Sequence, residues 1–364
     1  MQDNVTFLTS NSMNKAILLD ILKKSKINKE DSQIIQKIIQ DFEKDDFSLI
    51  NSQEDLFLNL HQKEFWASYL IFRYKFKNYP KQRIVTDFPI YLLIEPISSC
   101  NLRCVMCFQI DESFNKSAEF MGKMDLKLFN KVIDQAYANG TKAITLASRG
   151  EPTLHPKLEE MLEYCKGKFF EIKINTNATK LNEKLIHKIL KTDVTEIVFS
   201  VDSYEKVEYE SIRVKGIFEN VLQNIIKFKE IRDTEYPNSK CVTRISGVKI
   251  NEEQNQIKFK EFWEKYVDHV VMVEMENRWD TYHNPTEIAG CGSCEYLWER
   301  MYIWYDGTCN PCDIDYKSEL SVGSIQNNSI KEIWNGEKYK KIRELHLNGN
   351  RNQCYPCDRC PIGD

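Results

Sequence analysis

Twelve cysteines in a chain of 364 residues constrain this protein more than any other feature, because they are bunched. Three lie within Cys100–Cys107, seven lie within Cys291–Cys360, and Cys165 and Cys241 stand alone. A disulfide framework belongs to short secreted chains with cysteines spread along their length. Here the start, Met1-Gln2-Asp3-Asn4, has neither the basic segment nor the apolar run of an export signal. Bunched thiols in such a chain read as metal ligands in the reducing cytoplasm, and the two isolated ones as buried apolar residues. Fifty Lys+Arg against 54 Asp+Glu, net −4, argue against a surface built for nucleic acid. No apolar stretch is long enough for a membrane span. Neither nucleic acid nor membrane is therefore an expected partner.

Apolar periodicity divides the chain into residues 1–88, 89–280 and 281–364. In the first region Ile17, Leu18, Ile21 and Leu22, then Ile34, Ile35, Ile38 and Ile39, recur at helical spacing. Ser52 with Asp55 predicts a capping box for a helix carrying Leu58, Leu60, Phe65 and Leu70. Arg73, Lys75, Lys77, Lys81 and Arg83 read as a solvated linker. From residue 89 onward, strand-like runs alternate with amphipathic helices. The runs are Tyr91–Ile94, Ala143–Ala147, Glu171–Ile174, Glu196–Val201, Val242–Val248 and Val270–Met275. Six such strands predict parallel βα units, in either an open doubly wound sheet or an incomplete barrel. The last region has short segments, one helix predicted over Ser329–Leu347, and too few apolar residues for a large core of its own. Bound metal would supply the missing folding free energy.

Cys100-Asn-Leu-Arg-Cys104-Val-Met-Cys107 directly follows the first predicted strand, and sites in parallel α/β folds form at that end of strands. Zinc normally takes a fourth protein ligand. Three thiols with no fourth Cys or His nearby point to an iron–sulfur cluster with one open iron, with zinc as the other reading. The C-terminal cysteines run Cys291-x2-Cys294-x14-Cys309-x2-Cys312, then Cys354-x2-Cys357-x2-Cys360. The first half nearly fits a zinc ribbon and the second resembles the opening of a ferredoxin run, so spacing leaves both metals open.

The C-x3-C-x2-C motif after a first strand resembles the radical S-adenosylmethionine (SAM) superfamily. Ser148-Arg-Gly-Glu-Pro152 resembles the Gly-Gly-Glu-Pro segment that holds the SAM amino group, with Arg149 in place of the first Gly. Asn175-Thr-Asn-Ala178 and Phe199-Ser-Val-Asp-Ser203 resemble two further SAM-contacting segments, and Arg213 and Gly216 match a pair found before a helix in many relatives. The resemblance implies an α/β fold, an incomplete (β/α)6 TIM-like barrel preceded by a helical extension. It implies a [4Fe–4S] cluster on Cys100, Cys104 and Cys107, and SAM contacts from Met106, Gly150, Glu151, Asn175, Thr176, Ser200 and Arg213. Met106 stands where an aromatic is common and packs on adenine through its polarizable sulfur. The implied chemistry is reductive cleavage of SAM to a 5′-deoxyadenosyl radical that abstracts a substrate hydrogen, with flavodoxin or ferredoxin as electron donor.

Cys294-Glu-Tyr-Leu-Trp298, Ile303-Trp-Tyr-Asp-Gly307, Asn310-Pro-Cys312, Gly323-Ser-Ile, Ser329–Trp334, Arg343 and Cys354-x2-Cys357 resemble the small SPASM or twitch extension of that superfamily. This implies one auxiliary [4Fe–4S] cluster on Cys294, Cys312, Cys354 and Cys357, a second not being excluded. Cys291, Cys309 and Cys360 are possible substitutes, and Cys309 or Cys360 could instead return a hydrogen atom to substrate. Trp279 and Tyr282 are candidates for a substrate pocket. The helical start lacks the strands of a leader-peptide module. That favours oxidation or epimerisation of a small molecule, such as a sugar or aminocyclitol derivative, over modification of a ribosomal peptide. A zinc-binding structural protein is the remote alternative.

Overall fold

The computed structural model describes residues 12–275, 282 and 292–360, so Cys291 and Trp279 lie outside the described residues. The chain divides into two compact units, with the boundary between Val85 and Thr86.

The first unit is helical: α1 (Ser12–Lys24), α2 (Ser32–Glu43), α3 (Ser52–Leu60) and α4 (Trp66–Asn78). Ile34, Ile35, Ile38 and Phe42 give α2 one buried stripe, which packs with Leu18, Leu22, Leu58 and Leu70. The capping box of α3 is Asn51 with Glu54, one residue before the predicted pair. The Asn51 side chain accepts from the backbone N–H of Gln53 and Glu54, and Glu54 accepts from the N–H of Asn51. Glu54 is fully buried and also binds Arg73 (2.5 Å) and Lys77 (2.8 Å) of α4. A long-range ion pair thus selects the cap. It also removes Arg73 and Lys77 from the solvated run expected there.

The second unit is built on one sheet. Strands β1 (Tyr91–Ile94), β2 (Ala143–Leu146), β3 (Glu171–Thr176), β4 (Glu196–Ser200), β5 (Val242–Lys249) and β6 (His269–Glu274) lie side by side in chain order, all parallel. The intervening helices include α5 (Glu112–Asn115), α6 (Leu126–Ala138), α7 (Leu158–Cys165), α8 (Glu183–Lys191), α9 (Lys206–Ile212), α10 (Phe218–Glu235) and α11 (Gln256–Trp263). Their apolar stripes cover the sheet: Leu128, Phe129, Val132, Ile133 and Ala136 of α6 are buried with Ile94, Ile144 and Leu146. Gly140 follows α6 at φ +81°, a conformation glycine adopts freely. Sequential parallel order over six strands is the incomplete TIM-like barrel that the resemblance implies.

The C-terminal region does not stand apart from this sheet. After α12 (Tyr296–Glu299), strand β7 (Arg300–Ile303) pairs in parallel with the free edge of β1, Tyr91 opposite Arg300. Antiparallel β8 (Thr308–Asn310) and β9 (Gly323–Ser324) continue from it. The predicted helix over Ser329–Leu347 is two, α13 (Ile330–Trp334) and α14 (Glu337–Leu347). They separate at Asn335-Gly336, where Arg343 folds back to donate to the Trp334 carbonyl at 2.8 Å and stacks on the rings of Trp334 and Tyr339. Among the described residues, no helix is long and apolar enough to cross a membrane.

Candidate metal and cofactor site

The loop after β1 carries Cys100, Cys104 and Cys107. Its own backbone N–H groups point at two of the sulfurs: Leu102 N–H to Cys100 Sγ (3.4 Å) and Gln109 N–H to Cys107 Sγ (3.5 Å). Asn177, beyond β3, adds a side-chain contact to Cys100 Sγ at 3.8 Å. The loop is pinned on its other side by backbone bonds from Arg103 to Val214 (2.9 Å) and from Val105 to Ile212 (3.0 Å). Burial pushes the Cys100 and Cys107 thiols up to about 12; Glu151 adds to this for Cys100, and Cys104 for Cys107. Burial also raises Cys104, against the opposing charge of Arg213. Such thiols ionise when a metal supplies positive charge. N–H donors aimed at sulfur suit the thiolates that result.

Arg213 is held by Asp202 in a two-point ion pair (2.6 and 3.0 Å), and Asp202 also accepts from Val248 N–H at 2.9 Å. Its guanidinium is thus committed to Asp202 and stands beside Cys104 as a counter-charge. Gly150 lies against the start of the cysteine loop. A Cβ there would meet the chain's own backbone, Ile97 O at 2.1 Å and Ser99 O at 2.7 Å. The glycine lets the loop after β2 pack on the entry to the cysteine loop, and Glu151 N–H bonds Ser99 O at 3.0 Å.

Glu151 is buried, and burial raises its pKa against the hydrogen bonds it accepts. Its Oε1 accepts from Thr176 Oγ1 (2.7 Å), Thr153 Oγ1 (2.6 Å) and Thr153 N–H (3.1 Å). Oε2 accepts from Asn177 N–H (2.7 Å). A carboxylate oxygen offers two lone pairs, so Oε2 keeps one for a cation. Thr176 is therefore a positioning residue for Glu151. Asn175 Oδ1 and Ser148 Oγ are buried on this rim with no partner among the described residues. These two buried oxygens leave hydrogen-bonding capacity that a bound polar ligand would take up. Ser200 and Met106 are half-buried on the same rim.

In the C-terminal region the thiols of Cys294 and Cys312 both interact with that of Cys360, and Cys357 with Cys354, Cys312 and Cys294. Burial pushes Cys294 up to about 11 and Cys312 further. Buried Arg351 ties the segment down, donating to the carbonyls of Cys357 (2.9 Å), Cys360 (3.1 Å) and Gly292 (3.2 Å). Cys309 does not join them. It is fully buried in the core of the unit, its thiol bonded to Gly307 O at 3.7 Å. This placement argues against Cys309 as a ligand or a hydrogen-atom donor, because β8 turns that side chain into the apolar layer. Cys360 sits among the ligand thiols, which argues against a free hydrogen-atom donor there as well. Tyr282 is pinned, donating to Asp315 at 2.8 Å and accepting from Lys317 N–H at 2.7 Å.

The model of the radical SAM superfamily matches residues 94–258, and that of an iron–sulfur cluster-binding domain, SPASM, matches residues 294–361. The chain thus carries a radical SAM domain followed by a SPASM domain. A radical SAM domain brings a [4Fe–4S] cluster and SAM, and the SPASM domain brings auxiliary iron–sulfur ligation. The chain is 30% identical over 152 residues to a cofactor-modifying protein of the tungsten-containing aldehyde ferredoxin oxidoreductase from Pyrococcus furiosus, 41% of each chain. It is 23% identical over 310 residues to AlbA of antilisterial bacteriocin subtilosin biosynthesis from Bacillus subtilis, 75% of this chain and 65% of that one. The matches thus span about two-fifths and two-thirds of these relatives' own lengths. Streptococcus suis SuiB bound to precursor peptide SuiA shares the fold, with a TM-score of 0.60, 16% identity, and coverage of 96% of this chain and 86% of that one.

The radical SAM site also uses residues that the sequence did not single out. Gln109 Nε2 bridges the carbonyls of Ser98 (2.8 Å) and Arg149 (2.5 Å), locking the cysteine loop to the loop after β2. Glu95, at the end of β1, grips Arg149 Nε and Nη2 at 2.7 Å each. Arg149 reaches on to Tyr316 O at 2.9 Å and stacks 4.2 Å over Trp304. The residue replacing the family's first Gly is thus a strut between the SAM segment and the SPASM region. Gln109 adjoins the cysteine motif and Asn177 lies inside the quoted Asn175–Ala178 segment, so both were open to notice. Glu95 carries no local signal, because its partner lies 54 residues away.

Proposed function

We propose that this chain is a radical SAM enzyme that modifies a peptide or protein, with one auxiliary [4Fe–4S] cluster. The observation that carries the radical SAM part is the gathering of the Cys100, Cys104 and Cys107 sulfurs, the N–H donors to two of them and the unpartnered Asn175 Oδ1 at one end of the sheet. Cys100, Cys104 and Cys107 would hold the cluster. Glu151 Oε2 would receive the SAM ammonium, Asn175 and Ser148 its hydroxyls or carboxylate, and Met106 and Ser200 would flank it. Arg213 would offset the negative charge of the thiolates. Bound there, cluster and SAM supply a hydrogen-abstracting 5′-deoxyadenosyl radical; the protein orients the reactants and keeps water away. Cys294, Cys312, Cys357 and either Cys354 or Cys360 would hold the auxiliary cluster. An electron returned from the substrate radical to that cluster would make the net reaction an oxidation or a cross-link.

The choice of peptide over sugar rests on the match to AlbA, a protein of bacteriocin biosynthesis, which extends over 75% of this chain. The test is anaerobic reconstitution, iron and sulfide analysis, then incubation with SAM, dithionite and candidate peptides encoded beside the gene. Formation of 5′-deoxyadenosine supports the radical step. Loss of hydrogen from a peptide, read by mass spectrometry, supports the substrate class. Faster 5′-deoxyadenosine formation with sugars and no peptide product would overturn that class while leaving the radical step intact. Flavodoxin or ferredoxin would replace dithionite in the cell.

A further inference from the structure

We propose that His346 donates a hydrogen bond from Nε2 to a sulfur of the auxiliary iron–sulfur centre and so raises its reduction potential. This rests on the reading that the C-terminal thiols hold such a cluster. His346 lies in the last turn of α14 and is 4% exposed. Its Nδ1 accepts the backbone N–H of Cys294 at 3.2 Å. A neutral imidazole carries one proton, so that proton sits on Nε2. Nε2 is buried with no nitrogen or oxygen partner among the described residues, and the ring faces the Cys354 thiol. A ring nitrogen of His346 and the sulfurs of Cys354 and Cys357 all lie within 4.8 Å of one another, the one such trio among the described residues.

These facts separate two roles that proximity alone confuses. A metal ligand needs a free lone pair, and the backbone bond to Nδ1 leaves none on Nε2. The ring is therefore a donor. An unpaired buried N–H costs roughly 1–3 kcal/mol, and the nearby thiolates, with the sulfides of a cluster, are acceptors that relieve it. Reduction places one more electron on the cluster and makes its sulfurs more negative, which strengthens an N–H···S bond. The bond thus favours the reduced state, one of the recognised levers on cluster potential.

The test is a redox titration of the reconstituted full-length protein with dithionite, followed by electron paramagnetic resonance. Added SAM perturbs the signal of the cluster on Cys100–Cys107; the auxiliary signal is the one that does not respond. Iron and sulfide analysis checks separately that both clusters are present. His346→Leu is expected to retain iron but lower the reduced-to-oxidised ratio at the wild-type midpoint about tenfold, about 59 mV for one electron. His346→Gln, which keeps an N–H donor, should recover most of the shift. An unchanged midpoint in His346→Leu would overturn the proposal. So would loss of the auxiliary iron in both variants, as expected of a ligand. Should His346→Leu fail to fold, wild-type protein with 15N-labelled histidine decides. A weak nitrogen coupling with an exchangeable proton supports a donor, and the strong coupling of a directly bound nitrogen refutes it.

Discussion

The two thiol groups of this molecule are assembled in opposite ways. Cys100, Cys104 and Cys107 occupy eight consecutive residues, and two of the sulfurs receive N–H donors from the same loop. The C-terminal thiols come from three segments, at Cys294, Cys312 and Cys354–Cys360, joined by Arg351 and by the packing of α14. A local loop needs the barrel only as a platform. A site drawn from distant segments exists only once those segments have folded, so its metal and its tertiary structure should stand or fall together.

The largest effect should come from removing one thiol of each group. Cys104→Ala should lose about four of about eight iron atoms and suppress 5′-deoxyadenosine formation more than ~10³-fold, with the fold intact by circular dichroism. Cys312→Ala should lose a similar share of iron and keep SAM cleavage within a few-fold. Its C-terminal region should become protease-sensitive. If both variants were equally protease-sensitive, the contrast between local and distributed assembly would fail.

Next is the strut between the regions. Arg149→Ala leaves fully buried Glu95 without its cation and should cost about 3–5 kcal/mol in denaturant unfolding. Adding Glu95→Gln should return part of that loss; purely additive effects would exclude a specific pair. Smaller still is Asn175→Ala. Its Oδ1 has no partner among the described residues, so stability should change by less than about 0.5 kcal/mol. The KM for SAM should nevertheless rise roughly three- to tenfold, the worth of one hydrogen bond. A normal KM would remove Asn175 from the site.

The smallest effect concerns His155, which follows the Glu151 turn. Burial holds its pKa below the ordinary value, and Lys157 N–H donates to its Nδ1 while Nε2 bonds Met124 O. A depressed histidine pKa stabilises the fold above the unfolded value, about 6.5, and that contribution is lost as pH falls through the folded one. The stability advantage of wild type over His155→Gln should therefore shrink from pH 7.5 to 5.5, by less than about 1 kcal/mol. An advantage that grew would reverse the sign of the shift.

The barrel was legible because strand and helix periods are local properties, and the runs at Tyr91–Ile94 and Glu196–Val201 match β1 and β4 to within a residue. The cap of α3 was misread by one residue because Arg73 and Lys77, remote in sequence, hold Glu54. Spacing made Cys309 a possible substitute ligand because it cannot tell which way a strand turns its side chain; β8 turns this one into the apolar core. At Gly150 a side chain would meet the backbone of Ile97, a long-range contact that spacing does not reveal.

Residue types and short spacings determined by themselves that this chain has two groups of metal-binding thiols and a parallel α/β platform for one of them. Only tertiary structure decided which C-terminal sulfurs meet, that β7 joins β1, and that Arg149 and Glu95 share one buried contact. The physical reason is range. Spacing fixes geometry across a loop or a helical turn, whereas contacts between distant segments depend on how whole faces pack.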